Sequence, residues 1–501
     1  MTDKGSHTHN TLLINADQPV HKIDRHIYGQ FSEHLGTGIY GGIWVGEDSK
    51  IPNKEGYRSD VLDALIELKI PNIRWPGGCF ADEYNWLDGV GPRSERPVRI
   101  NTHWGMARED NSFGTHEFMR LTELLGAEPY ISANVGSGTA ENMSRWIEYL
   151  TFEGESEMAD LRRKNGRDEP WKIKFWGIGN ESWGCGGNMR PEYYADLYRR
   201  FATYAKNYSG NLLYKIASGF SDAHYDWTET VMKISGRFMD ALSLHYYTLP
   251  TGLWNEKGPS IDFGEKEYFQ SMLEALKMDE YVARHKDRMD VYDPEKRVAL
   301  AVDEWGVWTD PLPGSTLGYL QQQNTMRDAL VASVTLDILH QHADRVRIAN
   351  IAQTVNVLQA MILTEDEQMV LTPTYHVFHM YRPHQDAALL SMKLDSKDYS
   401  EGERSVPAIS ATASKDESGA VNLTLSNVHA TESQEITCDL RGMDIKAVDS
   451  GRLLTADAVD AVNSFDKPDR IAPVAFEEYS LKGSQLTIQM PPMSIVALRL
   501  Q

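Results

Sequence analysis

Eight short apolar runs, most of them stopping at a glycine, an asparagine or a charge, alternate with helical patterns between Ile27 and Tyr381. They are residues 27–33, 72–78, 129–136, 174–181, 213–219, 241–247, 298–305 and 346–353. Several are apolar on both faces, as strands of a fully covered parallel sheet must be. The intervening segments read as helices. Ser59–Lys69 carries apolar residues at Val61, Leu62, Leu65, Ile66 and Leu68, and Thr115–Leu125 stops at Gly126, a left-handed cap. A third helix opens on Pro191 and places Tyr194, Leu197, Phe201 and Tyr204 on one stripe. A fourth runs from Met326 to His342. Strand and helix alternating eight times predict an α/β fold, a (β/α)8 TIM barrel. Pro250–Pro294 is long for one crossover and reads as an elaborated loop followed by a helix around Tyr268–Arg288.

Beyond Tyr381 the rhythm changes to period-two alternation. Val421–His429, Glu435–Leu440, Leu486–Met490 and Ser494–Leu500 read as half-buried antiparallel strands. The expected organisation is a barrel over 18–383 and a C-terminal antiparallel, jelly-roll-like β-sandwich over 384–501. The alternating strand 10–17 is expected to join that sandwich, with a structural rather than a binding role. Residues 1–9 are polar and expected to be unstructured.

A formal net charge of -22 disfavours nucleic acid and anionic membranes as partners. No run approaches the roughly 20 apolar residues that span a bilayer. The N-terminus has no apolar h-region, so no secretion signal is expected. Cys79, Cys185 and Cys438 make an odd count with no pairing framework, which also points to the cytoplasm. No cysteine–histidine spacing resembles a zinc site. The glycines of PGG and GCGG lack a phosphate-loop lysine or a dinucleotide spacing. Neither metal nor cofactor is expected.

The chemistry concentrates at two strand ends. KFWGIGNES delivers Asn180 and Glu181, and RVALAVDEWG delivers Asp303 and Glu304. Carboxylates at the C-terminal tips of barrel strands are where such folds do chemistry. Two from different strands are the minimum for cleaving a glycosidic bond. A regular strand would turn Asp303 away from Glu304, into a structural ion pair. Cys185 reads as a small buried loop residue.

Six motifs then carry a resemblance: FSEHLG at Glu33, NIRWPGGCFADEYNW from Asn72 to Trp86, GIGNESWGCGG at Glu181, LHYY at His245, VDEWG at Glu304 and ANIAQTVNVL at Gln353. In this order, at strand ends, they resemble the α-L-arabinofuranosidases of glycoside hydrolase family 51, in the clan of retaining (β/α)8 hydrolases. The resemblance covers nearly the whole chain. It implies Glu181 as acid/base and Glu304 as nucleophile, with carboxyl groups about 5–5.5 Å apart. Like-charge repulsion from Glu304 is expected to raise the Glu181 pKa, and Arg74 to keep Glu304 ionised.

The same resemblance implies that Asn180 bonds the sugar 2-hydroxyl, that Glu33 accepts from sugar hydroxyls and that Tyr247 bonds the nucleophile. His245 and Gln353 would complete the subsite floor, and Cys79 would line the pocket. Trp104 and Trp308 are candidates to stack on a sugar ring. The resemblance further implies arabinose-containing oligosaccharides as substrates, an intracellular setting and a homo-oligomer, often a hexamer. Three readings compete: an exo-acting α-L-arabinofuranosidase acting on arabinoxylan or arabinan fragments, an endo-acting β-glycanase on the same barrel, and a carbohydrate-binding protein that has lost catalysis. The intact Asn180, Glu181 and Glu304 argue against the last.

Overall fold

The computed structural model describes residues 9–501, so the expectation for residues 1–9 falls almost wholly outside the described residues. Eight parallel strands close into a barrel in sequence order. They are β1 (Gly29–Phe31), β2 (Asn72–Trp75), β3 (Glu128–Ala133), β4 (Phe175–Ile178), β5 (Tyr214–Ala217), β6 (Ala241–Thr248), β7 (Ala299–Val307) and β8 (Val346–Ala352). Helices α1 (Ser59–Leu68), α2 (Thr115–Leu125), α3 (Ala140–Thr151) and α4 (Glu157–Lys164) cover the first half. The second half carries α5 (Pro191–Tyr204), α6 (Tyr225–Ser235), α7 (Glu265–Tyr292), α8 (Met326–Gln341) and α9 (Pro373–Tyr381).

The barrel floor is filled by Tyr130, Phe175, Ile216, Ala241, Ala299, Ala301 and Ile348. Large rings from β3 and β4 face alanines from β6 and β7, which is how inward side chains fill a barrel in layers. Burying a side chain such as Phe175 stabilises the fold by about 2–3 kcal/mol. Above this apolar floor the next layer is polar, and the site is built on it.

The helices follow their local signals. Gly126 ends α2 at φ 66°, a conformation glycine adopts without a Cβ penalty. Pro191 stands in the first turn of α5. The buried stripe of α5 is Tyr194, Ala195, Tyr198, Phe201 and Ala202, while Tyr204 turns outward because the helix ends there. The crossover from β6 to β7 takes the expected form, a loop over residues 249–264 followed by a helix of 28 residues that extends the expected span at both ends. The loop residues reach the mouth of the barrel.

A ten-stranded, mostly antiparallel sheet follows the barrel. Asn10–Lys22 is one of its strands, antiparallel to Ala388–Asp395 and parallel to Gln434–Arg441. Residues from strands far apart in the hydrogen-bonding order, such as Leu12, Leu423, Leu486 and Val496, share one core, so the sheet folds over itself. Its other face meets α8, which is buried all round. Asp337 on α8 accepts from Ser410 and Thr412 of the sheet, and Ser426 bonds Ser333. Burial on every side explains why α8 carries no polar stripe.

Candidate active site

Glu181 and Glu304 stand above the polar layer at the C-terminal ends of β4 and β7. One oxygen of each, together with a ring nitrogen of His245, lie within 4.8 Å of one another. Both glutamates line a cavity of about 490 Å³. Glu181 follows Gly179 and Asn180 and takes φ 38°, in the left-handed region that costs a non-glycine residue about 1 kcal/mol or more.

Arg74 ends β2 and is buried among acceptors from Ser132, Asn180, Asp303 and Glu304. It donates to Glu304 Oε2 at 3.0 Å and to Asn180 Oδ1 at 2.6 Å, and its Nε lies 3.7 Å from Asp303. Tyr247 on β6 donates to the other oxygen of Glu304, Oε1, at 2.7 Å. The phenol stays protonated: burial, then the charge of Glu304, raises its pKa well above the usual tyrosine value.

His245 sits under both glutamates. Its Nδ1 is 2.8 Å from Glu181 Oε1 and 3.5 Å from Glu304 Oε2, and its Nε2 is 3.3 Å from Asp303 Oδ1. Burial alone would lower its pKa, but Glu304, Asp303 and Glu181 together hold it up at about 10. With carboxylates on both nitrogens the ring carries both protons, an assignment made from its partners. A doubly protonated imidazole has no lone pair to give, so Glu181, His245 and Glu304 make a poor metal-ligand set.

Asp303 does not turn away from Glu304. The β6–β7 pairing shifts between Ser243 and His245, and the β7–β8 pairing between Val302 and Trp305. This irregularity breaks the alternation of a regular strand. Both acids therefore face the barrel interior, where Asp303 accepts from Tyr130 and Ser243. Burial would raise the Asp303 pKa, but Arg74, His245 and Ser243 hold it below the usual carboxylate range. The structural ion pair expected of it is present.

Glu33 follows β1. Its Oε1 accepts from the backbone N–H of Gly78 and Phe80, both at 3.0 Å, and Gln353 Nε2 donates to Oε2 at 3.3 Å. Burial, then the charge of Glu304, raises its pKa to about 7. Glu33, Cys79, Trp104, Tyr247 and Trp308 line the cavity with the two glutamates. Arg74, Asn180, His245 and Gln353 lie beneath them, each 2% exposed. The indole of Trp308 meets Tyr247 edge to face at 4.9 Å and Trp254 at 5.0 Å.

Several residues here escaped the sequence reading. Cys79 and Cys185 form a disulfide, so the expectation of unpaired cysteines is wrong, and Cys185 lines the cavity rather than lying buried in its loop. Both cysteines stand in motifs just past strand ends, but β3 lies between β2 and β4, and no local signal pairs them. Trp183 and Trp254 add aromatic wall, and Asp222, Glu274 and Lys277 a charged rim. Asp82 is fully buried and accepts from the backbone N–H of Val135, Gly136 and Asn180. It had no distinguishing signal beyond its place in the CFADEY run.

Paired carboxylates at strand ends of a closed (β/α)8 barrel, beside a sugar-sized cavity, define a glycoside hydrolase. The α-L-arabinofuranosidase 1 domain matches residues 64–258, and the α-L-arabinofuranosidase C-terminal domain matches residues 303–494. The chain belongs to the α-L-arabinofuranosidases of glycoside hydrolase family 51. It is 54% identical to an intracellular exo-α-L-arabinofuranosidase of Bacteroides ovatus, across 98% of this chain and 95% of that one. A crystal structure of the family 51 arabinofuranosidase of Xanthomonas axonopodis pv. citri superposes with a TM-score of 0.97 at 51% identity, covering 98% of this chain and all of that one. An arabinose complex of the Thermotoga maritima α-L-arabinofuranosidase superposes with a TM-score of 0.87 at 31% identity, covering 98% and 99%.

Proposed function

We propose that this chain releases terminal, non-reducing α-L-arabinofuranosyl residues from arabinoxylan and arabinan oligosaccharides with retention of configuration. Glu181 is the acid/base and Glu304 the nucleophile. The observation that carries this reading is the approach of the two carboxylates, within 4.8 Å oxygen to oxygen. That approach fits the roughly 5–5.5 Å carboxyl separation of retaining enzymes better than the roughly 6.5–9.5 Å of inverting ones. The exo action named for the Bacteroides ovatus relative and the arabinose held by the Thermotoga maritima enzyme support the substrate.

Arg74 and His245 are the cations of the polar layer, and in this reading Glu181 enters the cycle as the acid and Glu304 as the carboxylate nucleophile. Glu181 Oε1 accepts from His245, which leaves Oε2 to carry the proton to the leaving oxygen. Glu304 attacks the anomeric carbon, and its negative charge passes into the departing group as Glu181 protonates it. An arabinosyl ester and a shortened oligosaccharide result. Esterification removes the charge of Glu304, and Glu181, now a carboxylate, takes a proton from water as that water attacks the ester. Arabinose leaves and both glutamates return to their starting forms. Asn180, held by Arg74, offers its amide to the 2-hydroxyl, where contacts strengthen in the transition state. Glu33 and Gln353 bind the remaining hydroxyls.

The catalytic unit in this reading is 18–383 and the C-terminal sandwich 384–501. The family resemblance supports a homo-oligomer, a hexamer, which light scattering tests. The name of the Bacteroides ovatus relative supports an intracellular setting. The deciding experiment is hydrolysis of an aryl α-L-arabinofuranoside beside the xyloside, glucoside and cellobioside, with the first-formed anomer read by NMR. Preference for the arabinofuranoside with a retained product is expected. Cleavage of the cellobioside or of internal polymer bonds alone would move the chain to the endo-glycanases.

A further inference from the structure

The short 3-10 turn Cys79–Asp82 after β2 grips the Glu181 loop at two points. At one end Asp82 Oδ2 accepts the backbone N–H of Asn180 at 2.9 Å, while its Oδ1 accepts from Val135 at 2.7 Å and Gly136 at 2.8 Å. At the other end Cys79 is bonded to Cys185. The start of the turn is itself fixed by Glu33 through the N–H groups of Gly78 and Phe80. Glu181 lies between the two grips, in a left-handed conformation that persists only where its surroundings over-determine it. The loop folds back on itself, because a Cβ on Gly186 would fall 1.9 Å from the carbonyl oxygen of Asn180. The bridge sulfur of Cys185 sits 3.6 Å from Glu181 Oε2, the oxygen assigned above to carry the catalytic proton.

We propose that the Cys79–Cys185 bridge is a positioning element for Glu181, and that opening it with a dithiol selectively disables the acid-dependent step. The inference rests on the assignment of Glu181 as the acid. The chemistry is thiol–disulfide exchange. A thiolate of the reagent attacks one bridge sulfur to give a mixed disulfide, and its second thiol displaces the protein thiolate. The protein gains two electrons and two protons, and the reagent leaves as a cyclic disulfide. Two changes follow at Glu181. The covalent tie between the β2 and β4 tips is gone. Cys185 also acquires an S–H able to donate to Oε2, where the bridged sulfur had no hydrogen. Both changes act on proton donation, whereas a bridge that only stapled the barrel would alter stability alone.

The test uses the full-length enzyme, oxidised and then treated with dithiothreitol, with thiols counted by alkylation and mass spectrometry. One alkylatable cysteine, Cys438, is expected in the denatured oxidised protein and three after treatment; three in the oxidised protein would overturn the proposal. kcat/KM is measured on a dinitrophenyl arabinofuranoside, whose leaving group needs no proton, and on an arabinobiose, whose leaving group does. Reduction is expected to cost the arabinobiose at least about tenfold more than the activated glycoside, with reoxidation restoring both. C79S/C185S should show the same selectivity and ignore dithiothreitol. Equal losses on the two substrates, or none, would overturn the proposal, and reduced wild type decides the matter if the double variant fails to fold. The layers beneath fail separately. An oxidised enzyme inactive on every arabinofuranoside sinks the substrate reading, and E181A without leaving-group selectivity sinks the acid assignment.

Discussion

Asp303 and Glu304 are neighbours on one strand, yet both side chains reach the guanidinium of Arg74, at 3.7 Å and 3.0 Å. His245 likewise contacts both. The irregular pairing of β7 makes this possible and sets an anion beneath the candidate nucleophile. Asp303 therefore anchors Arg74 and His245 from below, and Glu304 and Glu181 meet them from above.

Glu304→Ala should abolish turnover on every substrate, by roughly four orders of magnitude or more, because no ester can form. Steady-state kinetics on the aryl arabinofuranoside check this. Activity within tenfold of wild type would remove Glu304 from the mechanism.

Glu181→Ala should slow arabinobiose far more than a dinitrophenyl arabinofuranoside in the first step, since only the former needs its leaving group protonated. Pre-steady-state burst kinetics separate this step from ester hydrolysis. Equal losses on both substrates would argue against an acid at this position.

Tyr247→Phe removes a hydrogen bond to Glu304 Oε1 and leaves the ring packed on Trp308. Hydrogen bonds to charged groups contribute about 1.5–3 kcal/mol, so kcat/KM should fall roughly ten- to a hundredfold. The native phenol does not ionise in the working range, so the alkaline limb of the pH profile should stay in place in the variant. A shifted limb would mean that Tyr247 titrates in catalysis.

Glu33 makes stability depend on pH. Its folded pKa, raised to about 7 by burial and then by Glu304, exceeds the ordinary value of 4.5. The folded state thus holds the proton more tightly than the unfolded chain. The stability it contributes is complete below about pH 4.5 and is lost as pH rises through about 7. At about 1.4 kcal/mol per unit, the loss is of order 3 kcal/mol. Glu33→Gln has no such proton, so its melting temperature relative to wild type should climb between pH 4.5 and 7.5. A constant difference across that range would contradict the shift.

The barrel was legible because each β/α unit announces itself locally. Short apolar runs bounded by turn residues, such as FWGI at 175–178, read as buried strands, and Gly126 and Pro191 mark helix ends beside helical patterns. Glu181 and Glu304 could be singled out because a parallel barrel delivers the ends of its strands to one face, whatever its loops do, whereas Glu33 and Tyr247 were named through the family resemblance. Position along the chain is enough to predict that much.

Contacts between separate strand ends lay outside that reach. Periodicity assumes a regular strand, so the break that turns Asp303 inward had no sequence signature. Cys79 and Cys185 stand 106 residues apart, and only barrel closure brings them within bonding distance. The double protonation of His245 depends on carboxylates from β4 and β7 converging on one ring. The sequence by itself determined the fold and the face on which chemistry occurs, because burial periodicity and strand-end placement are local. The tertiary structure alone decided proton placement, the pairing of the cysteines and the direction of each acid, because electrostatics and covalent reach depend on distances through space.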